Sequence, residues 1–133
     1  MRLSIPERVA SDVEVYVLDE AHAEPVTGDE EEATFLRGRA AIVAGWRPRA
    51  RGAVLDLPAA PSGHSIVAAT LRDVRDVFLS LANREDAAPA STDAYLRICT
   101  ALSHAAEDAD SAARTAAMNR LNPDTGRFGW EGP

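Results

Sequence analysis

Two residue types are missing from this 133-residue chain, which contains no lysine and no glutamine, so all 14 of its basic residues are arginines. Without lysine, the chain can form no lysine Schiff base and no phosphate-binding loop that ends in a lysine. The guanidinium group of arginine stays charged and presents a planar fork of donors that suits carboxylates and phosphates. The basic side chains are therefore suited to binding anions and not to covalent catalysis.

Cysteine is nearly absent as well. Cys99 stands alone, so neither an intramolecular disulfide nor a site with several cysteine ligands can form. The three histidines, His22, His64 and His104, have no second His or Cys at ligand spacing. No serine, histidine and acid in a recognisable triad arrangement is present either. We predict no metal, no cofactor and no catalytic residues, although distant residues could still assemble a site in the fold.

Long apolar runs are also missing. No stretch approaches the ~20 apolar residues that a membrane helix needs, and the first residues lack the apolar core of a signal peptide. We therefore predict a cytoplasmic protein without a membrane partner. A net charge of −7 further argues against binding nucleic acid or an anionic membrane over the whole surface.

Bulky apolar side chains are few, because 26 of the apolar residues are alanines. Alanine buries little area, and the free energy of burial scales with area, so the hydrophobic stabilisation of one copy is expected to be modest. A partner protein or a second copy would add stability by mass action. The composition thus favours a homo-oligomer.

Positive charge is concentrated in one window. Five arginines fall within residues 37–51, and no acidic residue lies between Glu32 and Asp56, so this window carries +5 and the rest of the chain −12. Such segregation predicts a cationic patch on an acidic body, with a nearby aromatic ring available for stacking. A solvated loop paired with the chain's own acidic residues is the plainer interpretation. The predicted anion- or partner-binding residues are Arg37, Arg39, Trp46, Arg47, Arg49 and Arg51.

The first half of the chain carries the strand signals. Residues 12–19 alternate valine with other residues, and residues 52–57 (GAVLDL) are predicted to form a second strand, which Pro58 ends. Residues 34–46 fit both a helix and a strand, but Gly38 and Gly45 would each cost a helix ~1 kcal/mol, so strand–loop–strand is preferred.

The second half predicts two helices. The sequence Thr70-Leu-Arg-Asp73 resembles a capping box, which predicts a helix from Thr70 to about Asn83, with residues 64–69 as a short strand or as an earlier helical turn. Ser91 or Thr92 is expected to cap a longer helix that ends before Pro123. Its alanine-rich stripe outruns the shorter helix and predicts a self-association interface at Leu102, Ala106, Ala109, Ala113 and Ala116.

The predicted fold is α+β, with a small antiparallel sheet in residues 12–69 packed against a C-terminal two-helix hairpin. The alternative is a mostly α-helical domain in which residues 30–46 and 64–83 are both helices. Residues 1–122 are predicted to form one domain, followed by a flexible tail at 123–133.

The predicted function is that of a non-enzymatic cytosolic protein that binds or regulates other proteins and associates with itself. An adaptor, an immunity or inhibitor protein, and a phage accessory factor all fit this description. The alternative is a nucleic-acid-associated regulator that uses the arginines of residues 37–51 on phosphates. A small hydrolase or transferase is a third, less favoured hypothesis.

Overall fold

The computed structural model describes residues 1–19, 30–59, 64–84 and 89–121. Within these ranges the elements are β1 (Arg2–Ile5), α1 (Glu7–Val13), a π-helical segment (Glu14–Leu18), α2 (Glu30–Gly45), β2 (Trp46–Arg49), β3 (Gly52–Asp56), α3 (His64–Ala82) and α4 (Pro89–Leu121). A small antiparallel sheet and a C-terminal helix pair are both present, which confirms the α+β prediction. The predicted tail at 123–133 lies outside the described residues.

The sheet of the described residues has the strand order β1-β3-β2, and both pairings are antiparallel. Arg2 pairs with Asp56 and Ile5 with Ala53, while a two-residue turn connects the paired residues Arg49 and Gly52. Gly52 has a φ of +97°, in the left-handed region that favours glycine. α1 and α2 both contact β3, and they also contact α4 and α3 respectively, so they join the sheet to the helix pair.

The strand predicted at residues 12–19 is wrong, because α1 and the π-helical segment occupy residues 7–18. Val9, Val13 and Val17 are fully buried and follow one another at a spacing of four residues, which is the repeat of a helix face. Val15, which a strand would place on the same face, is 46% exposed. The third strand is instead β1, which precedes the predicted range of 12–69.

The strand–loop–strand interpretation of residues 34–46 is also wrong, since α2 covers residues 30–45. Close packing explains the glycines that opposed a helix. A Cβ at Gly38 would lie 2.5 Å from the carbonyl oxygen of Asp73 on α3, and one at Gly45 would collide with the backbone of Asp56 on β3. Glycine is needed here because two elements approach each other's backbone closely.

α3 and α4 form the predicted helix pair, and Phe78 packs against Tyr95 with ring centroids 6.3 Å apart. The start predicted at Thr70 is wrong, because α3 begins at His64. The alternative prediction, that residues 64–69 are the first turns of this helix, is confirmed. Val67 and Ala68 are buried and extend the apolar stripe of α3 upstream. This burial outweighs the local capping signal. α4 begins at Pro89, a residue whose φ suits the first turn of a helix.

Candidate functional site

The two faces of the sheet differ sharply in character. Ile5, Trp46, Ala53 and Leu55 are buried on the inner face, towards the core. The alternating positions point outward and carry Arg2, Ser4, Arg47, Arg49, Val54 and Asp56, with Arg51 in the adjoining turn. We call Arg2, Arg47, Arg49 and Arg51, together with Asp56, the arginine face.

Asp56 is the acidic residue of the arginine face. Its carboxylate forms an ion pair with Arg2, with Nε and Oδ1 2.9 Å apart, and lies 3.8 Å from the Nε of Arg47. Arg2 and Arg47 remain at least half exposed, and Arg49 and Arg51 are exposed as well. With four arginines and one aspartate, the face carries a net charge of +3.

The backbone of β2 has a defined orientation, which follows from the pairing of β1 with β3. Met1 and Leu57 exchange two backbone hydrogen bonds of 2.9 and 2.8 Å. Because the direction of the backbone N–H and C=O groups alternates along a strand, those of Leu55 and Ala53 also point towards β1, whereas those of Val54 point towards β2. On β2, the backbone groups of Trp46 and Pro48 therefore point away from the sheet. Pro48 has no N–H, so this outer position on an edge strand suits it.

The arginines of β2 cover that edge. Arg47 donates from Nη1 to the carbonyl oxygen of Trp46 at 3.2 Å, and Arg49 donates from Nη1 to that of Pro48 at 3.0 Å. Charged side chains and proline on an edge strand oppose the addition of another strand. Arg47 and Arg49 thus have a structural role at the edge, while their exposed guanidinium groups keep further donors for an anion.

Arg37 and Arg39 serve other elements. Arg37 donates from Nε to Asp73 of α3 at 3.0 Å. Arg39 donates from Nε to the carbonyl oxygen of Val17 at 2.7 Å and from Nη2 to that of Leu18 at 3.3 Å, so it satisfies carbonyls at the end of the π-helical segment. The structure thus brings together Arg47, Arg49 and Arg51 of the predicted set and places Arg37 and Arg39 elsewhere.

Trp46, the remaining member of the predicted set, is 9% exposed and lies on the inner face of the sheet. Its Nε1 is buried and has no hydrogen-bond partner among the described residues. Phe35 lies at a cleft of about 330 Å³ between α2 and α3, together with Glu31 and Asp76. Neither aromatic ring is therefore available on the arginine face.

Sequence reasoning missed Arg2. It is distant along the chain from residues 37–51, and it reaches the arginine face only because β1 pairs with β3. No spacing pattern could have linked Arg2 to Arg47. The signal that was available is local: the short alternation Arg2-Leu-Ser-Ile5, which ends at Pro6, is typical of an edge strand.

The predicted interface on α4 is divided by the fold. Leu102, Ala106 and Ala109 are fully buried within the chain. Ala113 and Ala116 are half-buried, and nearby Met118 and Leu121 are 66% and 78% exposed. The surface part of the predicted stripe is thus confined to the last turns of α4.

A polar contact joins α1 to α4 inside the fold. The hydroxyl of Tyr95, whose side chain is fully buried, donates to Oδ2 of Asp12 at 2.7 Å. Burial raises the pKa of Tyr95 well above its ordinary value, and the hydrogen bond to Asp12 raises it further. Nearby, the guanidinium of Arg84 lies 3.3 Å from the centroid of the Tyr16 ring. The first contact joins α1 to α4, and the second joins the π-helical segment to the residue that follows α3 by two positions.

The remaining reactive side chains do not converge. Burial raises the pKa of the Cys99 thiol to about 11, so it is protonated at neutral pH and behaves as a core residue. His104 and Asp93 line the same shallow depression along α4, about three helical turns apart. The described ranges contain no group of three or more His, Cys, Asp or Glu side chains that could hold a metal ion.

Comparison of the chain with protein-family models, characterised proteins and solved structures gave no significant match. Within the described part of the chain, no helix combines the length and apolar character needed to cross a membrane.

Proposed function

We propose that this protein is a non-enzymatic interaction or regulatory protein that binds an acidic segment of a partner protein through its arginine face. The observation that supports this proposal is the placement of Arg2, Arg47 and Arg49 on the exposed side of the sheet, with Arg51 in the adjoining turn, where, among the described residues, Asp56 is paired with Arg2 and Arg47 alone. A cationic patch on an acidic body attracts the complementary part of a partner and repels its other anionic surfaces. Self-association is part of the same proposal.

The spacing of the arginines indicates the kind of acidic segment. Arg47 and Arg49 are two residues apart on one face of β2, which corresponds to a separation of roughly 6.6 Å along the strand. An extended segment with acidic residues at alternate positions has the same repeat. Each guanidinium group can donate two parallel hydrogen bonds to one carboxylate. The proposed ligand is therefore an extended Glu-x-Glu or Asp-x-Asp segment.

A protein partner is favoured over nucleic acid for two reasons. Single-stranded nucleic acids are bound by exposed aromatic rings beside a basic groove, whereas Trp46 is buried on the opposite face of the sheet. The chain outside residues 33–55 also carries −12, which opposes a long polyanion more than a short acidic segment.

Fluorescence anisotropy with a labelled twelve-residue peptide of alternating Glu and Ser tests the proposal. Arg47→Ala, Arg49→Ala and Arg51→Ala combined are expected to weaken binding by about tenfold or more, because three exposed ion pairs of up to ~1 kcal/mol each are removed. The matched control combines Arg97→Ala, Arg114→Ala and Arg120→Ala, which changes the net charge equally on exposed positions of α4. This control is expected to lose less than about threefold.

Two further arms decide the class of partner. A peptide with Gln in place of Glu is expected not to bind, and binding of the acidic peptide should weaken as salt is raised. Equal loss of affinity in the two triple variants would overturn the arginine face as the site. Tighter binding of single-stranded DNA or RNA than of the acidic peptide would replace the proposal with the nucleic-acid hypothesis.

A further inference from the structure

None of the described residues pairs with the outer edge of β1. Met1 is hydrogen-bonded to Leu57 through its backbone groups. Because the direction of these groups alternates along a strand, the backbone N–H and C=O groups of Leu3 and Ile5 also point towards β3. The N–H and C=O groups of Arg2 and Ser4 consequently point away from the sheet. No described residue forms a hydrogen bond with the backbone N–H or C=O group of Arg2 or Ser4.

The two edges of the sheet are thus unequal. On β2, Pro48 lacks an N–H, and the guanidinium groups of Arg47 and Arg49 occupy the outward carbonyls. On β1, the backbone N–H and C=O groups of both outward residues have no hydrogen-bond partner among the described residues. An unprotected strand edge is a template for pairing with another strand.

We propose that β1 pairs antiparallel with β1 of a second copy, so that two three-stranded sheets become one six-stranded sheet. This inference deepens the self-association part of the proposed function by naming its surface. In this pairing the outward backbone groups of the two β1 strands bond to each other. Arg2 then lies opposite Ser4 of the second copy, and Leu3 lies opposite its own equivalent, on the two-fold axis. Closed two-fold symmetry requires a self-complementary surface of this kind.

The side chains of β1 fit this register on both faces. On the outer face Arg2 meets a serine, so no arginine lies directly opposite another arginine, and Arg2 keeps its ion pair with Asp56. On the inner face Leu3 and Met1, which are half-buried in one copy, meet Leu3 and Ile5 of the other. Apolar area that one copy leaves partly exposed becomes buried in the pair.

The dimer and the binding of an acidic partner are expected to depend on salt in opposite ways. Two chains of net charge −7 repel each other, and their arginine faces would lie side by side, so added salt should strengthen the pairing by screening both repulsions. Binding of the acidic peptide should weaken over the same range. A single buffer series therefore tests the two proposals independently.

The first experiment is sedimentation equilibrium of the full chain at low and high salt. Association to a dimer that strengthens with salt is expected for the native chain. Ser4→Pro removes the outward N–H, which the isolated sheet does not use, and proline is tolerated on edge strands. This variant should stay monomeric, and its circular dichroism should match that of the native chain. Ser4→Thr keeps the N–H and should associate like the native chain.

Cross-linking tests the register without relying on a disruptive variant. Residues directly opposite each other at a non-hydrogen-bonded position have Cα atoms ~4.5 Å apart, which a disulfide can span. Leu3→Cys should therefore form a covalent dimer under mild oxidation, whereas Val15→Cys, at an exposed position on the π-helical segment, should not. Equal cross-linking of the two variants, or a native chain that stays monomeric at high salt, would overturn the dimer while leaving peptide binding by the arginine face unaffected.

Discussion

At the scale of single residues, the glycines of α2 show how packing can reverse a local preference. Gly38 and Gly45 oppose a helix by intrinsic propensity, yet each lies where another element's backbone comes close. The penalty of a glycine within the helix is small beside the steric clash that a methyl group would cause. Sequence alone could not reveal this, because the neighbours of Gly38 lie on α3.

Gly38→Ala changes the free energy of unfolding in opposite directions according to helix propensity and according to packing. Propensity alone predicts a gain of ~1 kcal/mol in the free energy of unfolding. We expect a loss of about 1–3 kcal/mol, because the new Cβ would meet the Asp73 carbonyl oxygen at 2.5 Å and Cγ2 of Val77 at 2.7 Å. Urea denaturation measures the difference. Ala40→Gly, at an exposed position on the same helix, serves as the propensity control, and a more stable Gly38→Ala variant would contradict the packing account.

Tyr95 gives a prediction for alkaline pH. Its pKa in the folded state lies above the unfolded value of 10.0, chiefly because of burial. A raised pKa in the folded state means that the contribution to stability is present below pH 10 and declines as pH rises above that value. Native Tyr95 should therefore ionise later than a free tyrosine in an absorbance titration.

Tyr95→Phe should remove the hydrogen bond to Asp12 and reduce the free energy of unfolding by roughly 1–3 kcal/mol at neutral pH. The variant should also lack the part of the alkaline decline that belongs to Tyr95. A variant as stable as the native protein at pH 7, with an unchanged alkaline decline, would show that the contact contributes nothing.

At the scale of elements, the sequence predicted the helix pair and the strand at residues 52–57, which is β3, but the strand predicted at residues 12–19 is wrong. Leu71, Val74 and Phe78 lie on one face of α3 as their spacing indicates, and they are all buried. In residues 12–18 the valines fit both the two-residue repeat of a strand and the four-residue spacing of a helix face. The β-branched side chains of valine then favoured a strand, which is wrong. The contacts that decide between them involve β3 and α4, which the local sequence does not contain.

The division of α4 into a buried and a projecting part can be measured directly. Leu102→Ala should lower the free energy of unfolding by about 2–5 kcal/mol, because a fully buried side chain leaves a cavity. Met118→Ala, at a position 66% exposed, should change it by less than about 0.5 kcal/mol. Chemical denaturation of both variants tests this contrast, and similar losses would mean that the end of α4 is packed as tightly as its middle.

At the scale of the whole molecule, the segregation of charge could be predicted from sequence and the composition of the arginine face could not. The window of residues 37–51 contributed Arg47, Arg49 and Arg51, but α2 directs Arg37 and Arg39 to other partners. Strand pairing then added Arg2 and Asp56, which no local pattern connects to the window. The fold thus concentrates positive charge on one side of a small sheet, beside an edge of β1 with which none of the described residues pairs.

The measurement that tests the arginine face most directly is an amide chemical-shift titration of the isotope-labelled chain with the alternating Glu-Ser peptide. We expect the largest shifts at the amides of Arg2, Arg47, Arg49, Arg51 and Asp56, which lie on the outer side of the sheet or in the adjoining turn. Amides of residues 110–121 on α4 should remain unchanged. Shifts concentrated on α4, or spread evenly over the exposed arginines of the described surface, would contradict the assignment of the arginine face as the binding site.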